Sequence, residues 1–167
     1  MNNEFTVDEI KNSVEYQWRK NQVKLYLLIW LVIVCVTIIP IIASIRDFDL
    51  LVVGIVSWLI VVVVFGLLFG TFALISYGKM RYLLKNYQRF NSYEVVLDKV
   101  STSYAYRGAV YYTVTVNYEG LSKNADTNPY FSSLAMSKFT CEEFNNKKVV
   151  GLYDDERNKF YVVKKVD

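Results

Sequence analysis

The run LYLLIWLVIVCVTIIPIIASI, from Leu25 to Ile45, holds no charged residue in 21 positions. At about 1.5 Å of rise per residue, a helix of that length reaches roughly 30 Å, the thickness of a bilayer's hydrocarbon core. A second run, LLVVGIVSWLIVVVVFGLLFGTFALISY from Leu50 to Tyr77, is charge-free over 28 residues and long enough to tilt or to emerge among the headgroups. Only Arg46-Asp47-Phe48-Asp49 separates the two. Apolar residues occupy every side of both runs, so neither keeps the polar face of a water-soluble amphipathic helix. A membrane hairpin is expected in place of two buried core helices. A polar lead of 24 residues and the lack of an A-x-A-like site argue against a signal peptide.

Cations set the expected orientation. Arg19, Lys20 and Lys24 precede the first run, Lys79, Arg81, Lys85 and Arg89 follow the second, and the insert offers only Arg46 beside Asp47 and Asp49. The positive-inside bias then puts both termini of a chain that crosses the membrane twice in the cytoplasm. Within the runs, Gly66-Leu67-Leu68-Phe69-Gly70 is a GxxxG motif that Ala73 extends by about one turn. Gly66, Gly70 and Ala73 are therefore candidate helix-packing residues, against the first span of the same chain or in a seam between copies. Pro40 removes a backbone donor from the first run and predicts a kink. Cys35, mid-run, reads as a small apolar packer.

The formal charge is only +3, and its cations crowd next to the apolar runs, as topology determinants and contacts for anionic headgroups. Nucleic acid, which would need a basic face remote from the membrane, is not an expected partner. Cys35 and Cys141 cannot pair in this topology, consistent with a reduced compartment for the soluble part. Histidine is absent, which removes the usual general base, the usual zinc ligand and every Ser-His or Cys-His pair. Abundant Lys, Asn, Tyr and Ile with two prolines resembles the output of AT-rich bacterial genomes.

In chain order, residues 1–24 carry a capping box at Thr6-Val7-Asp8-Glu9 and an apolar stripe of Val7, Ile10, Val14 and Trp18. The stripe predicts an amphipathic helix lying on the membrane face or packed on the soluble domain, with one continuous helix into the first span as the alternative. Residues 25–77 form the hairpin. Residues 78–92 repeat the amphipathic design: Met80, Leu83, Leu84 and Tyr87 share one face, and Lys79, Arg81, Lys85 and Arg89 are candidate lipid-headgroup contacts on an interfacial basic helix or on an extension of the second span.

From Tyr93 the apolar period changes to two. Val110, Tyr112, Val114, Val116 and Tyr118 alternate with polar residues, and the strand-like stretch 93–107 with a turn at Arg107-Gly108 predicts a long hairpin. A loop is expected over 119–129, a short helix after the capping signal Thr140-Cys141-Glu142-Glu143, and a second hairpin from 148–153 and 160–166 around Asp154-Asp155-Glu156-Arg157-Asn158. The fold class expected is a membrane α-helical hairpin plus a small α+β, mainly antiparallel β, soluble domain at 93–167. About 75 residues make a marginal core, so support from the membrane-proximal helices or from a second copy is expected.

With its span pair, a strand ending Val114-x-Val116-x-Tyr118, a late Lys148-Val149-Val150-Gly151-Leu152-Tyr153-Asp154 strand and a terminal strand, the chain resembles small bacterial two-span membrane proteins with a C-terminal cytoplasmic β-domain of unknown function. The resemblance implies a compact β-domain and no catalytic residues.

Nothing in the motifs demands chemistry. Asp154, Asp155 and Glu156 could attract a hard cation, but their spacing is not that of a calcium loop and a solvated turn explains them. Glu142 and Glu143 suit a helix N-terminus. No phosphate-binding glycine loop or nucleophile elbow is present. No cofactor, metal or catalytic residue is expected. The role expected is a non-enzymatic, membrane-anchored interaction module, such as a toxin-immunity protein or an accessory subunit of a membrane complex. Its partners would be the bilayer with its anionic headgroups and a second copy or another membrane protein. A lipid or envelope-stress sensor and an oligomeric channel component lined by Thr37, Ser57 and Thr71 are the alternatives.

Overall fold

A computed structural model describes residues 5–43, 45–46, 48–103, 109–131 and 139–166. The chain divides into two compact units, 22–78 and the combination of 1–21 with 79–167. Asp47 and the expected turn at Arg107-Gly108 lie outside the described residues.

The first helices are α1 (Val7–Asn12), α2 (Val14–Thr37), α3 (Ile39–Ala43) and α4 (Phe48–Asn86), the last followed by a 3₁₀ turn at Tyr87–Arg89. Two of them, α2 and α4, are long and apolar enough to cross a membrane, and no residue in the most apolar stretch of either is buried. They run antiparallel within unit 22–78. Ser76 Oγ donates to Gln22 Oε1 (3.4 Å) at one end, and a Cβ added to Gly54 would sit 3.7 Å from Ile41 towards the other. The break at Ile38 has a local cause. Pro40 has no N–H to offer the Val36 carbonyl, and the last carbonyls of α2 lose their helical donors. In the last turn before the break, the Thr37 hydroxyl also donates to Ile33 O at 2.6 Å and the Trp58 indole to Val34 O at 3.5 Å.

In the other unit, the capping box at Thr6 is formed in full, with Glu9 N donating to the threonine hydroxyl and Glu9 Oε2 accepting from Thr6 N at 3.0 Å. The helix stops at Ser13, whose backbone is extended and whose hydroxyl donates to Ile10 O at 2.6 Å. That break divides the predicted stripe. Ile10 joins one core cluster while Val14 and Trp18 join another, and Val7 stays exposed.

The strands are β1 (Asn91–Val96), β2 (Val100–Ser103), β3 (Ala109–Tyr118), β4 (Leu121–Thr127), β5 (Lys148–Asp154) and β6 (Lys159–Lys165), with the short helix α5 (Cys141–Phe144) between β4 and β5. They form one sheet in the order β1-β5-β6-β4-β3-β2. The sheet is mixed, which corrects the mainly antiparallel domain expected: β4 and β6 run parallel through 126↔159 and 127↔160. Alternation identifies strands and hairpins but carries no information on how two hairpins dock side by side, and here the crossover after β4 aligns them.

Two further expectations are corrected. The stretch after Tyr93 is two strands at opposite ends of the sheet, β1 beside β5 and β2 beside β3. The loop expected over 119–129 is mostly β4, reached by a two-residue turn in which Glu119 (φ 52) and Gly120 (φ 77) are both left-handed, as a tight hairpin of this twist requires. Glutamate is an uncommon residue for that conformation, which hid the turn.

Both sheet faces are covered. Tyr112, Val114, Val116, Val149, Tyr153, Phe160 and Val162 pack with Trp18, Tyr130, Phe131 and Phe144 on one side. The alternate residues Leu152, Tyr161 and Val163 pack with Ile10, Leu83, Tyr87 and Phe90 on the other. Covering the second face takes helical residues from both ends of the apolar runs, which answers the marginal size of the β-domain: each fully buried Phe or Leu contributes about 1.5–3 kcal/mol. Gly151 is fixed by packing, because a Cβ there would lie 2.5 Å from Phe160 Cζ and 2.7 Å from the Tyr161 carbonyl oxygen.

Candidate functional site

The small-residue stripe divides by environment. A Cβ on Gly66 would approach Trp30 Nε1 to 3.1 Å, whereas one on Gly70 would meet nothing within 4 Å; Ala73 is buried. Gly66 stands one turn after Val62, and the bare backbone at 66 lets the Trp30 indole reach the Val62 carbonyl at 3.3 Å. Each apolar helix thus receives an indole hydrogen bond from the other, Trp30 to Val62 and Trp58 to Val34. Tyr26 adds ring contacts with Phe69 and Phe72 at centroid distances of 6.5 and 5.6 Å.

The four basic candidates also separate. Arg89 is engaged by Glu156 (2.7 Å) and lies near the Phe90 ring. Arg81 and Lys85 are exposed, and the apolar face they share a helix with is taken up by the domain core: Met80, Leu83 and Tyr87 are buried. Lys79, also exposed, belongs to a polar cluster that the sequence did not reveal.

That cluster is built on Asp154, the last residue of β5, which is wholly buried. The solvated acidic turn expected at 154–156 is corrected at this position; Asp155 and Glu156 remain exposed. Asp154 shares strand parity with Leu152, so the alternation that buries Leu152 carries the carboxylate inward as well. Its Oδ2 accepts from the hydroxyls of Tyr82 (3.0 Å) and Tyr161 (3.2 Å), and its Oδ1 from the Arg157 amide (3.3 Å). Burial first, and then the Asp154 charge, push the Tyr161 hydroxyl well above its ordinary pKa; burial and the Asp154 hydrogen bond raise that of Tyr82.

A second buried pair lies on α2. Arg19 Nε meets Glu15 Oε1 at 2.9 Å, and Glu15 Oε2 accepts from Asn128 at 2.9 Å. The guanidinium carbon stands 4.2 Å from the Trp18 ring centroid, and Trp18 meets Tyr130 edge-on at 5.5 Å. The Tyr130 hydroxyl accepts from the Val162 amide at 3.1 Å, and its pKa is raised by burial and then by the Glu15 charge. The i,i+4 spacing of Glu15 and Arg19 was the available signal for a pair, but not for its burial. Arg157, from the β5–β6 turn, lays its guanidinium 3.5 Å from the centroid of Tyr82, one turn along α4 from Lys79. Desolvation, then the Arg19 cation, and further the Arg157 cation hold the Lys79 pKa below its usual value, with Glu15 opposing.

Both carboxylates in this cluster are thus occupied by partners other than Lys79 and the Arg157 guanidinium. Such an arrangement suits binding of an anion. Comparison with models of known protein families, with curated protein sequences and with solved structures found no match.

Proposed function

We propose that this chain is a non-enzymatic, membrane-anchored interaction module of a bacterial cell membrane, with the apolar pair inserted as a hairpin and both termini cytoplasmic. The observation that carries this reading is the pair of long helices whose apolar stretches the rest of the chain leaves uncovered. Water would be a poor solvent for that surface and lipid a good one. Charge supports the orientation, since the cations flank the outer ends of the pair.

The soluble domain suits presentation more than chemistry. Both faces of its sheet are covered, with help from the helical residues that flank the apolar runs, which among the described residues leaves the end strands β1 and β2 as the backbone available to a partner strand. The partner is a second copy or another membrane protein, as for an immunity protein or an accessory subunit.

Membrane fractionation with alkaline carbonate, combined with labelling of a tag after Asp167 by an impermeant reagent, tests the anchor. Retention in the pellet with a protected tag is expected. A soluble protein, or a tag labelled in intact cells, would overturn the reading. Crosslinking in native membranes followed by mass spectrometry would identify the partner, and gene deletion with toxin challenge would reject the immunity version if survival were unchanged.

A further inference from the structure

We propose that Lys79 and Arg157, with Arg19 behind them, form a binding site for a phosphate-bearing anion, supplied by the headgroup of an anionic lipid. The site rests on the membrane-anchored reading. Its three cations come from three separate segments, α2, α4 and the β5–β6 turn, which sequence spacing does not bring together.

Charge accounting points to an anion as the missing partner. The Arg157 guanidinium lies 3.5 Å from the Tyr82 ring centroid, one turn along α4 from Lys79, with Arg19 and Glu15 also acting on Lys79 and with Asp154 on the Tyr82 hydroxyl. Glu15 is engaged by Arg19 and Asn128, and Asp154 by two tyrosine hydroxyls and the Arg157 amide. The nearby Glu156 is taken by Arg89. Among the described residues, neither the Lys79 ammonium nor the Arg157 guanidinium has a carboxylate partner. Arg157 over Tyr82 and Lys79 one turn away bring two like charges to the same stretch of α4, and an added anion would relieve their repulsion.

Orientation is also provided. Tyr82 supports the flat of the Arg157 guanidinium at 3.5 Å, which leaves the guanidinium's edge donors for the forked contact that phosphate oxygens favour. Tyr82 is itself held by Asp154.

Position selects the source of the phosphate. Lys79 follows the last apolar residue, Tyr77, by two positions along one continuous helix. It therefore falls at the level where that helix leaves hydrocarbon for headgroups, and lysine side chains bridge that step readily. A free phosphate ion offers the same oxygens without the acyl chains, so the test separates the two.

The experiment uses native mass spectrometry of the full chain in detergent, titrated with phosphatidylglycerol, with phosphatidylcholine, and with inorganic phosphate. Wild-type protein should retain phosphatidylglycerol over phosphatidylcholine, and K79Q/R157Q should lose about fivefold in retention for each cation removed. K79R, which keeps both charges and the Arg157 fork, should retain the preference, and the surface control K99Q/K147Q should leave it unchanged. Equal retention by wild type and K79Q/R157Q, or equal loss in the control, would overturn the site. Binding of inorganic phosphate at the same concentration as the lipid, with displacement of the lipid, would keep the phosphate chemistry and overturn the lipid source. Carbonate fractionation of the same variants keeps the two readings apart: variants that stay in the membrane yet bind lipid as wild type does would reject the site alone.

Discussion

Replacing Asp154 by alanine tests whether the buried carboxylate holds the domain through its tyrosines. The residue is wholly buried and accepts three hydrogen bonds, from Tyr82 (3.0 Å), Tyr161 (3.2 Å) and the Arg157 amide (3.3 Å). These donors do not suffer equally. Arg157 lies in an exposed turn and Tyr82 is half-buried, so water can replace the carboxylate at both. Tyr161 is only 6% exposed, and its hydroxyl would be stranded at a cost of about 1–3 kcal/mol. Hydrogen bonds to a charged acceptor add about 1.5–3 kcal/mol, partly offset because the carboxylate no longer has to be desolvated. Asp154→Ala should therefore destabilise by about 3 kcal/mol.

The decisive measurement is a double-mutant cycle in guanidinium chloride on the detergent-solubilised full chain, read by tryptophan fluorescence and circular dichroism. Tyr161→Phe removes the stranded hydroxyl, so the double variant should recover a coupling energy of about 1–2 kcal/mol. Strict additivity would refute the assignment of the cost to Tyr161. An undiminished midpoint in Asp154→Ala would refute the importance of the network itself.

Gly151→Ala should cost about 3 kcal/mol in the same assay, because the new methyl meets a ring and a fixed carbonyl oxygen, and a cost below 1 kcal/mol would contradict the packing. Gly66→Ala should weaken α2–α4 pairing by about 1–2 kcal/mol by pushing Trp30 off the Val62 carbonyl, while Gly70→Ala should leave the monomer's stability unchanged or improved; loss of a crosslinked dimer in Gly70→Ala alone would place a second copy at that notch. Alkaline stability follows from the tyrosines. Tyr82, Tyr130 and Tyr161 have folded pKa values raised above 10, so the unfolded chain ionises first and stability falls as pH rises past 10 towards the folded values. Tyr161→Phe should flatten the slope of unfolding midpoint against pH between 10 and 12, and an unchanged slope would show that Tyr161 does not contribute to it.

The apolar runs were legible because their signal is one-dimensional: an unbroken absence of charge, a fixed rise per residue, and Pro40 to break the first of them at Ile38. Capping chemistry at Thr6 was equally local and formed as its spacing required. The alternation of Val110 to Tyr118 likewise marked a strand. Pairing was another matter. The two halves of the stretch after Tyr93 had the same texture yet went to opposite ends of the sheet, because alternation fixes which way side chains point and says nothing of the neighbour.

The same limit governs the polar cluster. Asp154 in a run of three acids looks like a surface turn, and Glu15–Arg19 looks like an ordinary exposed helix pair. Burial turns each into a different object, and burial depends on what packs above. Composition and period determined that there are two apolar helices and a β-rich domain. Only tertiary packing decided that Lys79, Arg19 and Arg157 share one field, since their electrostatic coupling acts through distances in space that separations in the chain of 60 and 78 residues do not encode.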